Sequence, residues 1–391
     1  MPNAHRILNL PGFTIKNVSG YKPLVLEVQF NRISRCGHCL SKRVRIKDSF
    51  MRSIKHETIG YIATVLRFKA HKFYCNDCQR YSNQRFPGIA KYQRASERLQ
   101  AQAFFQHTQG ISQKTVANNL RVGKATVERW YQKRYQLESR ETLDAPCPTV
   151  LGIDEHFFSR KQGFATTLCD LRKHKIYDVV KGRSEKSLND YLSKLKGKDR
   201  VKVVCIDLST TYRAIISKHF PNAKIVADRF HVIRLMQHQF IMTYRALEPD
   251  IKHNRGIMAI LRKRPSKLSS KQVARQIKFF DKNPAIKILY EVQTKLHQLL
   301  MNKTCKLKKC KVLIPQLLNM IIQLIKSPFK RLNALGKTLN SWLDEIVRMW
   351  RFSKNNGITE GFHRKMKLIQ RRAYGFRNFE NYRTRVKVLC G

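Results

Sequence analysis

The chain has 391 residues, 42 % hydrophobic and 10 % aromatic, and its 78 Lys+Arg against 26 Asp+Glu give a formal net charge of +52. That length allows two to four domains with cores of their own, and the apolar content argues for globular structure throughout. A surface this basic attracts polyanions and leaves nucleic acid or an anionic membrane as the partner class.

The first residues, MPNAHRILNLPGF, hold no apolar run and no cleavage-site pattern, so no signal peptide is expected. The longest apolar stretch, Leu313 to Ile325, is too short for a bilayer and carries Gln and Asn; a buried helix is expected there. No long basic amphipathic helix stands beside a lipid-anchor motif, which favours nucleic acid over membrane. The expected location is cytoplasmic, at the nucleoid. A cationic protein whose charges are merely solvated faces is the bland alternative.

Residues 1–92 alternate apolar and polar with period two, as in LVLEVQF (Leu24 to Phe30), and read as a small β module. Cys36-Gly-His-Cys39 and Cys75-Asn-Asp-Cys78 fall inside it. Two such knuckles at hairpin tips make a closed, structural four-thiolate Zn²⁺ site of Cys36, Cys39, Cys75 and Cys78. His38 and His71 are spare ligand types once four thiolates complete the shell. The other six of the ten cysteines are expected as reduced thiols, several of them in the core.

Across residues 93–145 the period becomes helical. One helix ends at Gly110, Ser112 caps a second, and KATVERWYQKRY follows a turn at Arg121-Val122-Gly123. Val116, Ala117, Leu120, Val122, Val127 and Trp130 have the spacing of a helix-turn-helix core. Lys124, Ala125, Thr126, Glu128 and Arg129 then open the recognition helix, with Lys124, Thr126 and Arg129 as DNA contacts. Arg121 stands where such turns usually carry Gly. A plain helical bundle is the competing reading.

Pro146 and Pro148 mark a linker. Residues 146–238 run through strands VLGIDEHFF, FATTLCDL and KIYDVV, a helix capped by Ser184, strand VKVVCIDLS, helix TTYRAIISKHF and strand AKIVADRF. Three hairpin-like strands followed by β-α-β crossovers predict a mixed α/β sheet. Residues 239–350 are helical and basic and read as an inserted all-helical domain; residues 351–391 close the chain as a basic helix and tail.

Asp154 and Asp207 are expected at the ends of neighbouring strands, and Glu360 on a helix packed across that sheet edge. Three carboxylates so placed suit two Mg²⁺ or Mn²⁺ ions clamping a phosphodiester. Glu155 points to the opposite face as a structural acid. Asp228 rivals Asp207 for the second place. His231 beside it is either functional or a core histidine. His363, Arg364 and Lys367 lie near the Glu360 face and would meet the DNA backbone, or else belong to an ordinary solvated helix.

In order, the cysteine knuckles, the helix-turn-helix, GIDEHFF, CIDLSTTYR, FPNAKIVADRFHV and NNGITEGFHRKMKLIQRRAYGFRNFENYR closely resemble bacterial insertion-sequence transposases of the ISL3 family over nearly the whole chain. The resemblance implies a multidomain protein: a zinc ribbon, a helix-turn-helix and a ribonuclease H-like core interrupted by a helical insertion. It implies Asp154, Asp207 and Glu360 as a DDE triad. It further makes Asp228 and His231 a supporting pair that does not ligate the metals. The implied activity is binding of double-stranded DNA at the element's inverted-repeat ends, cleavage, and strand transfer into target DNA by a homodimer or larger assembly. A non-catalytic zinc and helix-turn-helix regulator, or a structure-specific nuclease on the same sheet, are the alternatives from other classes.

Overall fold

The computed structural model describes residues 5–143, 145–303, 306–352 and 357–391. They form two compact units: Met1–Ser139 with Ile369–Phe376, and Arg140–Leu368 with Arg377–Gly391.

In the first unit a short turn of helix, α1 (His5–Leu8), precedes five strands: β1 (Phe13–Ser19), β2 (Leu24–Phe30), β3 (Val44–Ile59), β4 (Ile62–Cys75) and β5 (Tyr81–Asn83). The sheet order is β1-β2-β4-β3, with β5 also paired to β4. The period-two pattern buries Leu26 and Val28 of β2 and Leu66, Phe68 and Ala70 of β4. Phe13, Phe68 and Phe86 meet there edge-on or tilted, with centroids 4.9–5.6 Å apart.

Three helices follow: α2 (Glu97–Thr108), α3 (Gln113–Asn119) and α4 (Lys124–Leu143). Ser96 and Ser112 cap the first two by accepting from Leu99 N and Thr115 N. Arg121 adopts φ +49°, the left-handed conformation that glycine usually supplies at this turn. Lys55 Nζ of β3 donates to the Arg121 carbonyl and holds the turn. Val116, Ala117, Leu120 and Val127 are buried as expected, but Val122 and Trp130 are only half-buried. Tyr131 and Tyr135, on the Val127 face at i+4 and i+8, take the interior place instead.

The second unit is built on a sheet of β6 (Val150–Ser159), β7 (Gly163–Asp170), β8 (Lys175–Lys181), β9 (Val203–Ile206) and β10 (Lys224–Ala227), in the order β10-β9-β6-β7-β8. β6, β7 and β8 are antiparallel; β9 and β10 run parallel to β6 and its neighbour. This is the mixed sheet of a ribonuclease H-like core. β9 and β10 are shorter than their apolar runs suggested, because Asp207 and Asp228 end them. The connecting helices are α5 (Glu185–Ser193), capped by Ser184, and α6 (Thr210–His219).

After β10 come α7 (Arg229–Leu247), α8 (Arg255–Arg262), α9 (Ser270–Lys282), α10 (Pro284–Met301), α11 (Leu307–Ile325), α12 (Lys330–Ser341) and α13 (Leu343–Arg351). Their core is continuous with that of the sheet, through Phe240, Tyr244, Leu296, Leu339 and Trp350. α11 contains the long apolar run, yet buries one face only: Leu317, Ile321 and Leu324 are inside, whereas Val312 and Ile322 are exposed. No described helix is long and apolar enough to cross a membrane.

α14 (Gly357–Arg372) and α15 (Phe379–Cys390) complete the chain. The expected tail is thus a helix, and its anchor is ionic. Arg383 donates twice to Asp178 of β8, at 2.7 Å each, while Lys387 Nζ lies 3.4 Å away and Tyr191 donates from α5 at 2.9 Å. Burial alone would raise the Asp178 carboxyl, but Arg383 and Lys387 hold it below the ordinary range. Asp178→Ala strips the buried Lys387 and the half-buried Arg383 of their shared carboxylate and is expected to cost about 3 kcal/mol in urea unfolding. The contribution is full above the unfolded carboxyl value of about 3.9 and is lost as pH falls through the lower folded value.

Candidate active site

Asp154 lies in the middle of β6, not at its end, at the level where its neighbour β9 stops. β6 pairs with β9 from Val150↔Val203 to Gly152↔Cys205, and β10 pairs with β9 up to Ala227↔Ile206. Continuing both registers sets Asp154, Asp207 and Asp228 level across three adjacent parallel strands. The strand adjacency expected for Asp154 and Asp207 is therefore present, and Asp228 stands one strand further out.

Asp154 is buried and accepts from the backbone N–H of Glu155 at 2.8 Å. Burial raises its carboxyl to about 6; the Glu155 N–H and His231 oppose this, and the charges of Asp207 and Asp228 add to it. Burial likewise raises Asp207, where His231 again opposes and Glu155 and Asp228 add. Asp207 Oδ1 is buried with no hydrogen-bond partner. A desolvated, unsatisfied carboxylate oxygen among like charges is costly unless a cation balances it. This donor set fits hard divalent ions.

Asp228 is committed differently. Its side chain caps α7 by accepting from Phe230 N at 3.4 Å, and His231 Nε2 lies 3.7 Å from Oδ2. An open cleft of about 590 Å³ borders Asp207, lined by Leu208, His231, Arg234, Leu235, His238 and Thr338. Glu155 faces away, as alternation requires, and accepts from Arg183 at 3.2 Å.

Glu360, in the first turn of α14, is exposed and accepts from Arg364 at 2.9 Å, one turn along. Its oxygens do not converge with those of Asp154 and Asp207: among the described residues the four cysteines are the only close-set ligand group. Two buried like charges repel a third, and Arg364 offers Glu360 a nearer cation. Arg364 and Lys367 are exposed.

His363, expected against the DNA backbone, turns instead to the sheet. Its Nε2 is 3.1 Å from Thr167 Oγ1 and its Nδ1 is 3.8 Å from Asp154 Oδ2. The polar face of β6 and β7 offers it partners that solvent-facing helix positions lack. His156, two residues after Asp154 and so on its face, bonds both Thr167 (3.0 Å) and Tyr382 (2.9 Å). Burial, and then Lys367 nearby, depress His363 to about 4; burial, His363 and Lys367 depress His156 to about 3. Strand alternation from Asp154 already marks His156. Nothing in the sequence marks Thr167 or Tyr382.

In the first unit, Cys36 and Cys78 Sγ are 3.6 Å apart, Cys39 and Cys75 Sγ 3.5 Å, and all four lie within 4.8 Å of one another. These spacings far exceed a disulfide bond and suit the edges of a tetrahedron with metal–sulfur bonds of about 2.3 Å. The first knuckle sits in the β2–β3 connection and the second in the turn after β4. His38 and His71 are occupied elsewhere, with Tyr81 O and Ser49 Oγ. Cys147, Cys169, Cys205, Cys310 and Cys390 are buried free thiols, as expected; Cys305 lies outside the described residues. Lys124 and Arg129 are exposed near the start of α4, and Arg129 Nη2 lies 3.3 Å from Thr126 Oγ1.

A DDE transposase model of family ISL3, described as a transposase, matches residues 151–386. A model described as the helix-turn-helix domain of transposase family ISL3 matches residues 84–135. The transposase for insertion sequence element IS1001 of Bordetella parapertussis is 25 % identical over 371 residues, which is 91 % of this chain and 89 % of that protein.

Below about pH 6 a cation at Asp154 must displace a proton. Mn²⁺ affinity is therefore expected to fall about tenfold per pH unit below that point and to level off above it. Calorimetry checks this; an affinity that Asp154→Asn leaves unchanged excludes Asp154 as a ligand.

Proposed function

The chain belongs to the ISL3 family of DDE transposases, and from that premise we propose that it binds the inverted-repeat ends of its own insertion sequence, cleaves there and joins the freed ends to target DNA. The observation that carries the catalytic reading is the pair Asp154 and Asp207, level on adjacent strands, with Asp207 Oδ1 buried and unsatisfied. Asp154, Asp207 and Glu360 would hold two Mg²⁺ or Mn²⁺ ions. Bound there, such ions polarise the phosphodiester and lower the pKa of the attacking water or 3′-hydroxyl.

The protein's own residues do the rest. Asp154 and Asp207 supply hard oxygen donors, the first buried and the second at the edge of an open cleft. Asp228 and His231 support that site by fixing the start of α7 beside Asp207. Arg364 and Lys367, exposed on α14, neutralise phosphates of the bound strand, and Arg364 releases Glu360 as DNA phosphate takes its place. Lys124, Thr126 and Arg129 at the head of α4 meet the major groove. The four cysteines hold a structural Zn²⁺.

Functionally the chain divides at the boundaries its sequence suggests: 1–92 and 93–145 for the DNA ends, 146–238 and 351–391 for catalysis, with 239–350 inserted between. Two ends must be processed together, which calls for a homodimer or larger assembly on DNA in the cytoplasm.

Asp154→Asn and Glu360→Gln are each expected to abolish Mg²⁺-dependent cleavage of end DNA while leaving end affinity within about twofold, since neither removes a phosphate contact of α4. Cleavage by either variant at the wild-type rate overturns the triad. Cleavage without joining in a strand-transfer assay supports the nuclease reading instead. Elemental analysis is expected to return one zinc per chain, lost in Cys75→Ser together with the β module's thermal transition.

A further inference from the structure

Thr167 sits between two histidines, and its single hydroxyl proton constrains both. Its Oγ1 lies 3.0 Å from His156 Nδ1 and 3.1 Å from His363 Nε2. A hydroxyl donates once and can accept twice, so accepting from both rings would leave its own buried proton without an acceptor among the described contacts. Two polarities of the chain use that proton.

In the first, Tyr382 donates to His156 Nε2 across 2.9 Å, His156 Nδ1–H donates to Thr167, and Thr167 donates to His363 Nε2. His363 then carries its proton on Nδ1, which faces Asp154 Oδ2 at 3.8 Å. In the second, His363 Nε2–H donates to Thr167 and the Nδ1 lone pair faces a carboxylate. A carboxylate accepts and does not donate, so the second arrangement sets two lone pairs against each other. The low-dielectric surroundings sharpen the difference, since Thr167 and Tyr382 are fully buried and His156 nearly so.

We propose that Tyr382, His156, Thr167 and His363 form a one-directional hydrogen-bond relay that presents the His363 Nδ1–H to Asp154, making His363 a positioning residue for the catalytic carboxylates. His363 lies one turn after Glu360 on α14. The ring that orients Asp154 therefore also fixes the rotation of the helix turn that carries Glu360. Tyr382 extends the relay into α15, whose Arg383 is clamped by Asp178. The C-terminal helix thus reaches the site through four side chains. The positioning role rests on the reading of Asp154 and Glu360 as catalytic; the tautomers do not.

Long-range ¹H–¹⁵N spectra of the full chain labelled at histidine test the relay directly. His156 and His363, assigned by loss of signal in His156→Phe and His363→Phe, are both expected as the Nδ1–H tautomer. An Nε2–H tautomer at His363 overturns the relay, whatever any variant does. Thr167→Val keeps the shape and removes the hydroxyl. It is expected to lower the cleavage rate about 10- to 100-fold and to raise the Mg²⁺ concentration for half-maximal rate. End-DNA affinity stays unchanged, the melting temperature falls because two buried ring nitrogens lose their partner, and Thr167→Ser restores the melting temperature and both kinetic quantities. Wild-type cleavage and Mg²⁺ requirement in Thr167→Val, alongside an inactive Asp154→Asn, overturn the positioning role while sparing the triad. Wild-type cleavage by Asp154→Asn overturns the triad, and the positioning role with it.

Discussion

Carboxylates set level across adjacent parallel strands repel one another, and burial raises the cost of charging each of them. That constraint organises the catalytic unit. Asp154 is raised to about 6 by burial and by its neighbours, and Asp207 keeps a buried oxygen without a partner. Such a row is unfavourable for the isolated chain and favourable for a chain that receives divalent cations. The groups around the row temper the repulsion. Asp228 is absorbed into the N-cap of α7, His231 approaches from the same helix, and Glu360 stands at the surface, paired with Arg364.

Precise placement of acids needs a rigid frame, and two kinds of interaction provide it. The apolar core runs without interruption from the sheet into α7–α13, so a long helical stretch between the second strand acid and Glu360 does not loosen the sheet. On the other face polar fastenings stand beside the aromatic packing of Phe158 on Phe379 and Tyr382. Asp178 clamps Arg383 and Lys387, and Thr167 with its two histidines fastens α14 against β6 and β7. Both polar fastenings are buried, where each hydrogen bond is strong and an unpaired group is costly. The charge of +52 is therefore not uniform in purpose. Most of it lies outside and suits DNA, but Arg383 and Lys387 serve the fold.

Much of this was legible beforehand, for definite reasons. Strand alternation and apolar runs are local properties, so β2, β4, β6, β7 and β8 stood where the pattern set them. Serine caps at Ser112 and Ser184 are equally local. The cysteine knuckles needed only their spacing. Local signals misled where one residue belonged to two grammars. Asp207 and Asp228 close apolar runs that read as longer strands, yet Asp228 is the first residue of a helix cap. Arg121 breaks the rule for its turn and adopts the left-handed conformation regardless, with Lys55 from β3 on its carbonyl.

By itself the sequence determined most of the elements, the four-thiol cluster and the helix-turn-helix, and it marked Asp154, Asp207 and Glu360 as candidate acids, since each depends on residue type and short-range spacing. Which groups the strand acids meet was decided by tertiary structure alone. The levelling of Asp154 with Asp207 depends on a register between strands far apart in the chain. The turn of His363 toward Thr167 and Asp154 depends on how α14 lies over the sheet. Period and composition are silent on both, because contacts between remote segments leave no periodic trace in either partner, whereas the pairing of Glu360 with Arg364 is a local i,i+4 contact that the helical period already allows.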